Sequence, residues 1–155
     1  MQPKIKLVFG RICSGKSSLK RDPLRDAVIE VSHLVKTLIK RSNREALQNT
    51  VDLDMEIAEL LLNRIAELEA ENAWSVIIVD GIRQASIVQQ VLERYPEVEL
   101  VWVEVPTEER KRRYYARQHP KDIEPFETVD NREIELEGQK IFDTFRNRLT
   151  IINNY

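Results

Sequence analysis

The feature that most constrains this chain is the run Gly10-Arg11-Ile12-Cys13-Ser14-Gly15-Lys16-Ser17, which follows the short apolar run of residues 4–9. It satisfies G-x-x-x-x-G-K-[ST] at every fixed position. The chemistry accounts for the spacing. Two glycines allow backbone angles and a close approach that side chains forbid. Successive amides then turn inward and, with the N-terminus of a following helix, form a nest for an anion. Residues Gly10, Arg11, Ile12, Cys13, Ser14, Gly15, Lys16, Ser17 and Ser18 are therefore the expected cradle for the phosphates of ATP. Lys16 is expected to reach the β- and γ-phosphates, and the Ser17 hydroxyl to ligate Mg²⁺.

The rest of the chain fits a sheet that could present such a loop. Near-continuous apolar runs at residues 4–9, 27–31, 75–80, 98–105 and 149–152 read as five strands, of the kind buried on both faces. Helical patterns lie between them, at about 32–47, 52–72, 84–94, 107–117 and 128–147. The alternation predicts an α/β fold, a three-layer P-loop NTPase fold with a five-stranded parallel sheet covered by helices on both faces. With 155 residues, 42% of them hydrophobic, the chain is expected to form a single domain, 1–155. A polar stretch at 118–127, with Pro120 and Pro125, reads as a loop able to act as a lid.

Charge narrows the partners. Formal net charge is −2 and the pI about 5.8, so no basic stripe suited to tracking nucleic acid is expected. No apolar run approaches the roughly 20 residues of a membrane span. The single cysteine, Cys13, excludes an intrachain disulfide and suits a cytoplasmic setting. His33 and His119 are assigned to neither metal nor base. Oligomeric state is not legible.

Asp80 ends the strand of residues 75–80, where an acid can hold the water shell of Mg²⁺ or orient an attacking oxygen. The run Asp80-Gly81-Ile82-Arg83 resembles the nucleoside monophosphate kinases, the adenylate-kinase-related P-loop enzymes, and more loosely the dephospho-coenzyme A kinases. The resemblance implies an ATP- and Mg²⁺-dependent phosphotransferase acting on a small phosphorylated acceptor, a nucleoside monophosphate. It implies that Arg83 grips the acceptor's phosphate and that Ser32 and Lys36 meet the acceptor within helices 32–72. Lys36 stands where the family carries an arginine. In the segment 107–132, a basic helix and lid-like stretch, it implies that Arg113, Arg117 and Arg132 close over the transferring group, with Lys16, Asp80 and Arg83 completing the catalytic set. Asn153 would lie beside the base. Pro23 departs from the pattern, because the helix after a P-loop usually runs three turns. Either that helix is short, or it is kinked, or a segment is missing between Leu19 and Arg25. The alternative reading is a nucleotide-binding regulatory ATPase module without a small-molecule acceptor. A guanine-reading Asn/Thr-Lys-x-Asp run is absent from the sequence.

Overall fold

The computed structural model describes residues 2–16, 21–41, 53–120 and 122–154. Five strands, β1 (Lys4–Gly10), β2 (Asp26–Glu30), β3 (Val76–Asp80), β4 (Glu99–Glu104) and β5 (Leu149–Asn153), form one sheet in the order β2-β3-β1-β4-β5. Every pairing is parallel. The described helices are α1 (Val31–Arg41), α2 (Leu53–Glu71), α3 (Ala85–Arg94), α4 (Thr107–Arg117), α5 (Phe126–Asp130) and α6 (Glu133–Phe145). A single 3₁₀ turn, Arg146–Arg148, leads into β5.

Alternation along the strands sends Ile5, Leu7, Phe9, Ile77, Val79, Leu100 and Trp102 into the main core. Helix residues meet them there: Leu61 and Ile65 of α2, Ile87 and Val91 of α3, and Ile141 of α6, all fully buried. Burial of such a side chain stabilises by about 1.5–3 kcal/mol. Trp102 meets Phe142 edge-on, with ring centroids 5.0 Å apart. Val8, Val101 and Val103 gather around Ile78 in a smaller cluster on the other face. Beside it a cavity of about 350 Å³ runs over Val28, Val76 and Ile152, with Lys16 and Asp80 among its lining residues.

Two expectations are corrected. The stripe expected for the helix at 52–72, namely Met55, Ala58, Leu61, Leu62, Ile65 and Leu68, buries Ala58, Leu61, Ile65 and Leu68 together with Ile57, whereas Met55 is exposed. The helix expected over 128–147 is two helices with a bend between them. Pro125, with φ −58° and ψ 148°, stands at the cap of α5. Arg132 then leaves the helical region at ψ 154° before α6 begins. The cause is tertiary: both the carboxylate and the carbonyl of Asp130 are held by arginines from elsewhere, so the chain turns at that point. Helix α1 ends at Arg41 among the described residues; the expected continuation to 47 lies outside them, as does Asp52, which with Asp54 is one of two candidate caps for the helix at 52–72.

Register decides what meets at the carboxyl end of the sheet. Asp80 pairs with Val8 on one side and with Glu30 on the other. Gly10 pairs with Val103, and Asn153 with Glu104. Central β1 thus delivers its loop next to the acid that ends β3. No described helix is long and apolar enough to cross a membrane.

Candidate functional site

Gly10 ends β1 where nothing larger fits. A Cβ there would run into the side chain of Ser14 and come within 3.1 Å of the Val103 carbonyl oxygen. Cys13 at φ +62° and Gly15 at φ +78° both occupy left-handed backbone. For glycine this is free; for cysteine it stores strain of order 1–3 kcal/mol, which the surroundings must hold in place. Such an alternation turns amides toward one centre and makes an anion nest.

Three buried polar atoms around this loop lack a hydrogen-bond partner: Nε of Arg11, Oγ of Ser14 and Oδ1 of Asp80. Each would cost about 1–3 kcal/mol if it met nothing; Arg11 and Ser14 line the cavity at the loop and Asp80 stands beside Lys16, so a polyanion and its metal would be suitable partners. The residues present therefore fit a phosphate group with Mg²⁺. Lys16 Nζ lies 3.2 Å from that Asp80 oxygen, an electrostatic contact without hydrogen-bond geometry. Ser17 and Ser18, the expected metal ligand and its neighbour, lie outside the described residues.

The thiol of Cys13 is pushed up from its ordinary pKa, chiefly by burial, against the opposing pull of Arg117, Arg110 and Arg113. It is therefore a thiol rather than a thiolate near neutral pH.

The basic helix α4 divides its arginines by face. Arg110 and Tyr114, four apart, are its buried residues. Arg110 bonds the Asp130 carboxylate at 2.7 Å and donates to the carbonyls of Ile12 and Val105, each at 3.3 Å. Arg113 donates to the carbonyls of Cys13 and Ser14 at 3.4 and 3.5 Å, and to that of Asn154 at 2.7 Å. Carbonyls of the glycine loop are thus held by two guanidinium groups. Arg117 is held by Asp122 at 2.6 Å and lies over the Tyr114 ring. That hydrogen bond lowers the Asp122 carboxyl below its ordinary range. Arg132 pairs with Glu124.

Two cavities meet here. One, of about 550 Å³, is lined by residues 10–16 with Arg83, Arg113, Arg117, Val129 and Arg132. The other, of about 660 Å³, is lined by Ser32 and Lys36 of α1, Asp54 and Ile57 of α2, and Gly81, Arg83 and Gln84 beyond β3. Gly81 at φ +98° lets the chain leave β3 alongside Val31; a Cβ added at Gly81 would stand 3.7 Å from that of Val31. Arg83 lines both cavities. It has no ion pair among the described residues, whereas Arg113, Arg117 and Arg132 are each engaged with an acid.

Four positions escaped the sequence reading. Glu30 ends β2 beside Asp80 and bonds His33 at 3.0 Å. The signal used for Asp80, an acid closing an apolar strand, applied to it equally. Asn154, rather than Asn153, reaches the loop, donating from Nδ2 to the Ser14 carbonyl at 3.0 Å. Asp130 and the burial of Arg110 left no local signal, because their meaning depends on each other across the fold. Among the described residues no cluster of three or more His, Cys, Asp or Glu side chains could hold a metal by itself.

A family model described as an AAA domain matches residues 5–137, most of the chain. This chain belongs to that AAA domain family. Its fold is the three-layer α/β fold of P-loop kinase-like proteins, and solved structures repeat it at low identity. TT1252 from Thermus thermophilus superposes with a TM-score of 0.56 at 19% identity, over 100% of this chain and 90% of that one. A gluconokinase from Sinorhizobium meliloti gives 0.54 at 18%, over 97% and 82%. A sugar kinase from Janibacter sp. gives 0.58 at 12%, over 97% and 85%. No curated protein matches this chain.

Proposed function

We propose that this AAA domain is a kinase that moves the γ-phosphoryl group of ATP to a small phosphorylated acceptor of the nucleoside monophosphate class. The observation that carries the reading is the place of Arg83, a cation without an acidic partner among the described residues, on the wall shared by the two cavities. A planar fork of donors at that wall suits a group passing from one cavity to the other. The structural neighbours that are kinases by name support a small-molecule acceptor.

In this scheme the amides of residues 10–15 wrap the triphosphate and Lys16 exchanges Asp80 for its β- and γ-oxygens. Asp80, through water, and Ser17 would hold Mg²⁺, which would supply neutralisation of charge on the phosphates. Ser32, Lys36 and Arg83 receive the acceptor among the helices of 32–72. An acceptor oxygen attacks the γ-phosphorus in line, the bond to the β–γ bridging oxygen breaks, and ADP leaves. The protein's own contribution is positioning and electrostatic stabilisation of the equatorial oxygens. Arg113, Arg117 and Arg132, from the lid-like segment 107–132, add positive charge around them.

The test is ADP formation from ATP and Mg²⁺ across nucleoside monophosphates, dephospho-coenzyme A, sugar acids and small alcohols. Arg83→Ala and Lys16→Ala are each expected to lower acceptor-dependent turnover by about 10²-fold or more. Undiminished transfer in both variants sinks the mechanism. ADP release that no acceptor accelerates selects a regulatory ATPase instead.

A further inference from the structure

A buried acid serves the glycine loop from the far end of the molecule's lid-like segment. Asp130 closes α5 and is 8% exposed, and its ion-pair partner Arg110 is 4% exposed. The same carboxylate oxygen that takes Arg110 at 2.7 Å takes Arg11, the second residue of the loop, at 3.1 Å. Arg11 also donates to the Asp130 carbonyl. Two guanidinium groups thus share one carboxylate, one of them belonging to the loop and the other hydrogen-bonded to the loop's Ile12 carbonyl.

This arrangement fixes where the Arg11 guanidinium stands. Its Nη2 is occupied by Asp130, its Nε is buried without a hydrogen-bond partner, and the residue lines the cavity walled by the glycine loop. An arginine left to itself would lose rotamer freedom on meeting a phosphate; one already held at its far nitrogen has lost it beforehand. The shared acid also offsets the mutual repulsion of two cations, so that both can stand beside the loop without an anion bound.

We propose that Asp130 is a positioning residue for the nucleotide: it presets Arg11 beside the phosphate cavity. The inference rests on the nucleotide reading above. Asp130 touches no phosphate itself and acts through Arg11, so its effect must depend on Arg11 being present.

Calorimetric titration of the full chain with ATP and Mg²⁺ tests this in four proteins: wild type, Arg11→Met, Asp130→Asn and the double variant. Each single change is expected to weaken binding by about tenfold, a coupling usual within one ion-pair network. The double variant is expected to bind within about twofold of the weaker single variant, since the second change has nothing left to act on. Losses that multiply to roughly hundredfold mean that Asp130 acts independently, and overturn the inference. So does Asp130→Asn binding like wild type. Melting curves identify a variant that does not fold. If Asp130→Asn is such a variant, Asp130→Glu replaces it, and its loss of affinity must vanish in the Arg11→Met background. Wild type that binds no ATP overturns the nucleotide reading and this inference with it; wild-type binding with multiplying losses overturns the inference alone.

Discussion

At the scale of single residues, the loop depends on an absence. Gly10 has no room for a Cβ between the Ser14 side chain and the Val103 carbonyl, and the second of these is backbone that cannot swing aside. Gly10→Ala must therefore shift β1 against β4 or displace Ser14. We expect a loss of about 1–3 kcal/mol in stability, as for other overpacked sites, together with loss of ATP binding, measured by denaturant titration and by calorimetry. Unchanged binding in this variant would mean that the loop tolerates displacement and that the fit described here is not needed. The glycine loop was legible in the sequence because its requirements are local: which backbone angles are allowed, and which residue follows by how many positions. Asp130 was illegible for the opposite reason. Nothing in Val129-Asp130-Asn131 distinguishes a solvated helix end from an acid shared by two arginines until the chain is folded.

At the scale of elements, the stretch between α4 and α6 is held by polar contacts rather than by apolar packing alone. Tyr114 Oη donates to the Glu124 carbonyl at 2.6 Å, and the Phe126 amide donates to Tyr115 Oη at 3.1 Å. Arg117 bonds both carboxylate oxygens of Asp122, at 2.6 and 2.8 Å. Because that pairing depresses the Asp122 pKa in the folded state, its contribution is present above the ordinary carboxylate range. It is lost as pH falls through the depressed folded value. Acid should thus loosen residues 118–125 ahead of the sheet. Amide hydrogen exchange at pH 3 against pH 6, corrected for intrinsic rates, is expected to show lost protection there first, and Asp122→Asn should show it already at pH 7. Equal protection loss in the loop and in β1 would contradict this. Strands and most helices were readable because apolar runs and stripes report burial directly. The bend after Asp130 was not, since the residues 128–147 carry a helical pattern that a distant ion pair interrupts.

At the scale of the whole molecule, sheet order matters most. Placing β1 between β3 and β4 unites three strands that are distant in sequence at one carboxyl edge, where the loop, Asp80 and Arg83 assemble. A ligand bound there stabilises the folded state by mass action: at 100 times its Kd the gain is about 2.7 kcal/mol. For a domain of this size that is a rise in Tm of about 5–10 °C. ATP with Mg²⁺ is expected to produce such a rise in wild type and little of it in Lys16→Ala, by thermal denaturation at fixed protein concentration. The alternation of strand and helix made the parallel sheet legible. The sharing of Arg83 between two cavities was not, because it depends on how α1 and α2 lie against the turn after β3.

The side-chain amide of Asn154 backs the Ser14 carbonyl across 140 positions of chain. A nascent polypeptide still threaded through the ribosome therefore displays the glycine motif long before the residue that braces it has been polymerised. Competence to retain nucleotide should arrive only when β5 emerges and docks, rather than when the motif itself is translated.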